Sequence, residues 1–338
     1  MTTMLPAGNG CPAAGHETGC KAKTSGAEVG CAPLLAIENL SVSFLRYVSG
    51  WQRRKLTVID DLCVAVYPGE ILAVVGASGA GKSLLAHALL GILPRNALVT
   101  GIIRFAGEDL TPVRQAQLRG REIALVPQSV NFLNPLMRVG AQVRAAVRDG
   151  DAPGAQRRVF ARYRLPHESE RLYPFQLSGG MARRVLVAAA TVSGARLVIA
   201  DEPTPGLDAE AARETLSHLR ELADEGRSVL LITHDITAAL PVADRIAVFY
   251  GGTVLEVAPA QDFTGTGESL RHPYSKALWQ ALPQNGFAVV PGYQPLPDTL
   301  PAGCLFAPRC PQAAPACAAE RPPVRGLRGG TVRCFYAA

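Results

Sequence analysis

The chain has 338 residues, 48% of them hydrophobic, a formal net charge of +6 and eight cysteines. That is enough apolar material for one large domain or two modest ones. No aromatic residues interleave with a basic stripe, which sets nucleic acid aside as a partner, and no stretch reads as a membrane span, since the uncharged run over 277–297 is interrupted by prolines.

Residues 1–33 are poor in large apolar side chains and lack periodicity, which predicts a disordered leader. With no basic region followed by an apolar core, it does not read as a signal peptide, so a cytoplasmic chain is expected. A strand is predicted over 34–44, where Ile37, Leu40, Val42 and Phe44 partly alternate, and a second over 58–66. The turn Tyr67-Pro68-Gly69-Glu70 leads into the apolar strand 71–75, then a glycine-rich turn, then a helix over 83–90. Short strands follow at 102–105 and 123–126. Residues 136–175 carry helical signals and read as a small helical insertion, extended to 190 by the segment that follows. The continuous apolar runs 197–200 and 229–232 fit buried parallel strands. Between them, 209–225 has helical spacing, with Leu216, Leu219 and Leu222 on one face. A hairpin is predicted over 245–257 around Gly251-Gly252. Alternating strands and helices imply an α/β core. After Pro259 the composition shifts to a Pro- and Gly-rich tail, poor in periodic structure, with Cys304, Cys310, Cys317 and Cys334.

The turn after the 71–75 strand reads Gly76-Ala77-Ser78-Gly79-Ala80-Gly81-Lys82-Ser83, that is G-x-x-x-x-G-K-S between strand and helix. Its glycines let backbone N–H groups converge on phosphate oxygens, and the helix N-terminus adds positive partial charge. Lys82 can reach β- and γ-phosphates, and the Ser83 hydroxyl can ligate Mg²⁺. The run 197–200 ends in Asp201-Glu202: Asp201 is placed to hold Mg²⁺, and Glu202 to polarise an attacking water as general base. Leu177-Ser178-Gly179-Gly180-Met181 precedes a helix that Ser178 can cap, with two glycines that let amides approach an anion.

The ordered set of the phosphate loop, Val126-Pro127-Gln128, Leu177 to Met181, Asp201-Glu202, Gly206-Leu207-Asp208 and Thr233-His234-Asp235 resembles the ATP-binding cassette (ABC) ATPases over about 34–260. The resemblance implies a P-loop NTPase core: a RecA-like parallel sheet, an antiparallel β subdomain, a helical subdomain within 136–190, and an irregular cysteine-bearing extension. The cassette would span 34–262 and the extension 263–338. It implies that Gly76, Ser78, Gly79, Gly81, Lys82 and Ser83 cradle ATP, that Ser83, Gln128 and Asp201 hold Mg²⁺, and that Glu202, His234 and Gln128 serve catalysis, with Gln128 also sensing a transmembrane partner. Ser178, Gly179 and Gly180 would bind the γ-phosphate of ATP held by a second subunit, Asp208 would link the two sites, and Tyr47 or Trp51 would stack on adenine.

His272-Pro273-Tyr274-Ser275 and the tail cysteines resemble the region after the cassette in oligopeptide/dipeptide and nickel importers. That likeness implies an ATPase subunit docked on the cytoplasmic face of the inner (plasma) membrane. Its partners would be two permeases and a second cassette, identical or different, with an extracytoplasmic substrate-binding protein acting indirectly. The spacing C-x5-C-x6-C-x16-C lacks the C-x2-C pairs of common zinc ribbons, and thiolates of this kind could hold a [4Fe–4S] cluster or Zn²⁺, or stay free; the resemblance favours the iron–sulfur cluster. Two departures stand out: Pro205 in Thr204-Pro205-Gly206-Leu207-Asp208, and Ala182-Arg183-Arg184 where R-Q-R is frequent. The competing class is a soluble ABC ATPase acting on ribosomes or nucleic acid, but such chains usually join two cassettes or insert a long coiled coil, and this one has a single set of motifs and no heptad run.

Overall fold

The computed structural model describes residues 32–49, 52–77, 79, 81–148 and 150–337. The expected disordered leader, with Cys11, Cys20 and Cys31, lies almost wholly outside them. Two sheets organise the rest. In the first, strands β1 (Leu35–Ser49), β2 (Gln52–Val66), β4 (Ala97–Phe105) and β5 (Glu108–Asp109) pair antiparallel in the order β2-β1-β4-β5. The second has eight strands and follows the order β11-β12-β10-β9-β3-β8-β7-β6. Its members are β3 (Ile71–Val75), β6 (Ile123–Val126), β7 (Leu197–Asp201), β8 (Ser228–Thr233), β9 (Arg245–Tyr250), β10 (Thr253–Pro259), β11 (Arg325–Leu327) and β12 (Gly330–Val332). Strands β9, β3, β8, β7 and β6 run parallel, and β10, β12 and β11 continue the sheet antiparallel.

The period-2 geometry of the central strands splits their apolar residues between two cores. Ile71, Ala73 and Val75 of β3, with Val229 and Leu231 of β8, face one cluster, while Leu72, Val74, Leu230 and Ile232 face the other. The second core is closed by α1 (Lys82–Leu90) and the antiparallel sheet, through Leu85, Leu89, Leu35 and Ile37. The first is closed by α3 (Val139–Ala146), α4 (Ala152–Arg162), α5 (Gly179–Thr191) and α6 (Ala209–Asp224), and by Cys304, Leu305 and Phe306 of the tail. Leu216, Leu219 and Leu222 are the buried face of α6, as their spacing requires.

The β1–β2 ribbon runs past the predicted strand ends, with Leu45 opposite Lys55 and Arg46 opposite Arg54. Arg46, Arg53, Arg54 and Lys55 are exposed, so no apolar alternation marks the extension. The tail departs further from its expected irregularity. It contains α8 (Pro273–Gln280), α9 (Pro315–Ala319) and the β11–β12 hairpin, whose β12 pairs with β10 and adds strands to the central sheet. A short helix α2 (Pro112–Leu118), capped by Thr111, and the four-residue α7 (Ile236–Ala239) complete the set.

Candidate functional site

Strand β3 delivers the phosphate loop at the C-terminal edge of the parallel strands, where such sheets place their ligands. Gly76 is buried, and a Cβ there would stand 2.3 Å from the carbonyl oxygen of Phe249 on β9. Close backbone approach therefore demands this glycine. Gly79 (φ +77°) and Gly81 (φ +99°) need the left-handed conformation, and Gly81 is the N-cap of α1. The Lys82 ammonium is buried and donates to the carbonyls of Gly76 (2.8 Å) and Ala77 (3.0 Å), inside the curl of its own loop. Burial lowers its pKa, against the opposing pull of the Glu202 and Asp201 carboxylates.

One residue on, the Ser83 hydroxyl donates to Asp201 Oδ1 at 3.1 Å. Burial raises the pKa of Asp201, with the Ser83 bond opposing. Glu202 is buried and carries φ +47°, a left-handed conformation uncommon for a side chain of its size. Its amide bonds the Ile232 carbonyl at 2.8 Å, and both of its oxygens lie 2.9 Å from Nδ1 of His234, which ends the neighbouring strand. A carboxylate accepts here, so Nδ1 is the protonated nitrogen. Lys82, Ser83, Asp201, Glu202 and His234 thus converge from three adjacent strand ends. A charge-bearing triphosphate and a water can be held and activated by such a set.

Other predicted residues stand apart from that cluster. Gln128 is exposed after β6 and makes no hydrogen bond to the convergent set among the described residues. Ser178 accepts from the Met181 amide at 3.2 Å, capping α5, and a Cβ added at Gly179 or Gly180 would meet open space. Asp208 caps α6, accepting from the amides of Glu210 and Ala211. Ser78 and Trp51 lie outside the described residues, as does the side chain of Tyr47.

Sequence reasoning missed two buried arginines. Arg183 on α5 donates to the Pro127 carbonyl beside Gln128 (2.9 Å) and to Pro205 (3.5 Å). Arg271 pairs with buried Glu256 of β10 (3.2 Å) and with Asp262 (2.8 Å), while Glu256 also accepts the amides of Arg271 and His272. This anchors the His272-Pro273-Tyr274 segment, whose His272 caps α8 and whose Tyr274 ring packs on Tyr250 (4.4 Å) and Phe306 (5.3 Å). A charged residue directly before that motif was the available signal.

Cys304, Cys310, Cys317 and Cys334 line one cavity with His272 and Phe306. All four are free thiols, and burial pushes up the pKa of Cys304 and Cys310, with the neighbouring thiols adding to it. The donor set suits a thiophilic centre, but its geometry is not closed: among the described residues no three Cys, His, Asp or Glu are arranged to hold one ion.

A family model described as ABC transporter matches residues 59–205, and one described as oligopeptide/dipeptide transporter, C-terminal region, matches 255–317. A protein of Brucella abortus (strain 2308) named as a peptide import ATP-binding protein is 37% identical over 323 residues, covering 90% of this chain and 95% of its own. The dipeptide transport ATP-binding protein DppD of Escherichia coli (strain K12) is 34% identical, with 90% and 96% covered. Among solved structures, an ATP binding subunit of an ABC transporter aligns with TM-score 0.55 and 26% identity over 68% of this chain and 91% of that one. A dimeric, post-hydrolysis ATP-binding cassette bound to ADP and Pi aligns with TM-score 0.59 and 22% identity over 67% and 98%, a likeness of fold. Fold and site define an ATP-hydrolysing cassette. The chain belongs to the ABC transporter family, in the branch that carries the oligopeptide/dipeptide transporter C-terminal region.

Proposed function

We propose that this chain energises a peptide importer, as one of two cassettes bound beneath two permease subunits on the cytoplasmic face of the inner membrane, with an extracytoplasmic receptor supplying cargo. The convergence of Lys82, Ser83, Asp201, Glu202 and His234 carries the ATPase reading. The relatives compared are named for peptide and dipeptide transport, which favours peptides over nickel or metal chelates. The matching C-terminal region also weighs against a soluble ABC protein working on ribosomes or nucleic acid. No helix among the described residues is long and apolar enough to cross a membrane, so attachment falls to docking. Phe132, Leu136 and Phe175 are 62%, 88% and 75% exposed beside the Gln128 loop and the helix at Ser178, and they supply an apolar face for a permease.

In this reading Lys82 turns from its loop carbonyls to the β- and γ-phosphates, and the loop amides fill the remaining oxygens. Ser83, Asp201 and Gln128 would hold Mg²⁺, which when bound neutralises phosphate charge. Glu202 takes a proton from water as the water oxygen bonds the γ-phosphorus. The bond to the β-phosphate oxygen breaks, and ADP departs with that electron pair. His234 fixes the Glu202 carboxylate from the side. Ser178, Gly179 and Gly180 close on nucleotide held by a sister chain, Asp208 joins the two sites, and Tyr47 or Trp51 stacks on adenine. The cassette over 34–262 does this work. The extension over 263–338 is a brace in which Cys304, Cys310, Cys317 and Cys334 would ligate an iron–sulfur cluster or Zn²⁺ once drawn together. Iron, sulfide and zinc analysis of the purified chain separates those occupants.

The test is a pair of variants. Glu202→Gln is expected to retain ATP binding and lose hydrolysis by about 10²–10⁴-fold. Lys82→Ala is expected to lose nucleotide affinity. Wild-type hydrolysis in the first, or wild-type affinity in the second, removes the reading.

A further inference from the structure

Arg183 is 5% exposed on α5, the helix that begins at the Ser178–Gly180 segment, and it pairs with no carboxylate among the described residues. Burial alone lowers its pKa. A guanidinium so placed is costly unless its donors are satisfied. Two backbone carbonyls do this: Nη1 donates to Pro127 (2.9 Å) and Nη2 to Pro205 (3.5 Å). Pro127 immediately precedes Gln128. Pro205 lies in the turn closed by the Leu207 amide on the Thr204 carbonyl, between Glu202 and Asp208. Both segments are loops at the site, and among the described residues Arg183, rooted in a third element, is the side chain that hydrogen-bonds to both.

We infer that Arg183 is a positioning residue for ATP hydrolysis: its planar fork locks the Gln128 loop and the Pro205 turn to α5, so that the three shift as one body. Arginine carries donors on two separate nitrogens in one rigid plane and so spans acceptors in different loops, whereas the single nitrogen of lysine or glutamine serves two carbonyls only where they adjoin, as Gly76 and Ala77 do at Lys82, and here would hold one and release the other. Among the described residues Arg183 makes no hydrogen bond to Lys82, Ser83, Asp201, Glu202 or His234. It acts through the backbone next to Gln128 and through the turn that follows Glu202, and its loss therefore falls on turnover and spares affinity. That the displacement originates at a sister chain's nucleotide on Ser178 rests on the two-cassette reading above; the tie itself exists within one chain.

The experiment uses the full chain with Arg183→Gln and Arg183→Lys. In both, ATP affinity is expected to stay within ~2-fold of wild type while kcat falls about tenfold. In dilute, nucleotide-free protein, hydrogen exchange at residues 128–131 and 206–208 is expected to rise together, with the amides of α5 unchanged. Lysine failing like glutamine marks the fork, and not the charge, as the requirement. Wild-type turnover in either variant overturns the inference, as does loosening of only one loop. Parallel loss of affinity and turnover with faster exchange along all of α5 would reduce Arg183 to a core residue. If the two loops loosen together but turnover never depends on chain concentration, the tie stands and the two-cassette reading falls.

Discussion

Glu202 keeps its backbone at φ +47° and its carboxylate on His234, both in the residue that follows strand β7. Side chains enter that region at a cost of order 1–3 kcal/mol, and such residues gather at functional sites. Here the Ile232 carbonyl and the imidazole hold it in place. Gly76 makes a complementary point. The phosphate-loop spacing assigns all its glycines to phosphate approach, yet Gly76 is required by the Phe249 carbonyl on a strand far away in the chain. Gly76→Ala is therefore expected to destabilise the protein by about 1–3 kcal/mol in urea unfolding and to weaken ATP binding, because β9 or the loop must yield. The motif made the site legible. The reason for its first glycine was not, since it depends on which strand lies beside β3. Arg183 was noted only as a departure from a frequent pattern; its two carbonyl partners come from loops that no local spacing brings together.

At the level of elements, α8 is the instructive case. The His-Pro-Tyr motif was recognisable by likeness, while its physical job emerges from packing: His272 caps the helix through Nδ1, which accepts the Tyr274 amide, and Pro273 starts it. Full burial pushes the His272 pKa down from 6.5 to about 3. The unfolded chain then binds a proton that the folded one refuses, so this residue's contribution to stability is complete above pH 6.5 and drains away as pH falls toward about 3. His272→Asn keeps a capping oxygen and removes the titration. Its melting temperature is expected to fall less than that of wild type between pH 6.5 and pH 4, measured by calorimetry, so a crossing or narrowing gap on acidification is the signature. The central parallel strands could be read from their continuous apolar runs, and α6 from its helical period. The outer half of the β1–β2 ribbon could not, because Arg46, Arg54 and Lys55 pair across strands in solvent and carry no apolar rhythm.

On the scale of the molecule, one sheet unites the nucleotide strands and the tail. Its α/β core was predictable from alternation, and the antiparallel sheet from the family likeness. The addition of β12 to β10 was not, since three-residue strands leave no periodic trace. Further ties run the same way: Arg333 pairs with Asp61 (2.7 Å) and Arg321 with Asp60 (2.5 Å), both on β2. A chain ending at Glu320 would expose the β10 edge, whose residues Val254, Leu255 and Val257 are buried in the two cores. Such a chain is expected, in nucleotide-free buffer, to form species larger than a dimer with rising concentration in analytical ultracentrifugation, while the full chain forms none beyond a pair.

The pairing of Val257 with Thr331 also sets a timetable for synthesis. Every strand of the nucleotide half leaves the ribosome well before the hairpin that seals it. At about 5–20 residues per second, the rim of the newly made sheet waits several seconds without its neighbour. Crowded polysomes, slow codons within the intervening stretch, or a chaperone able to shield a bare strand should therefore govern the yield of this protein more than they govern cassettes that lack such a tail.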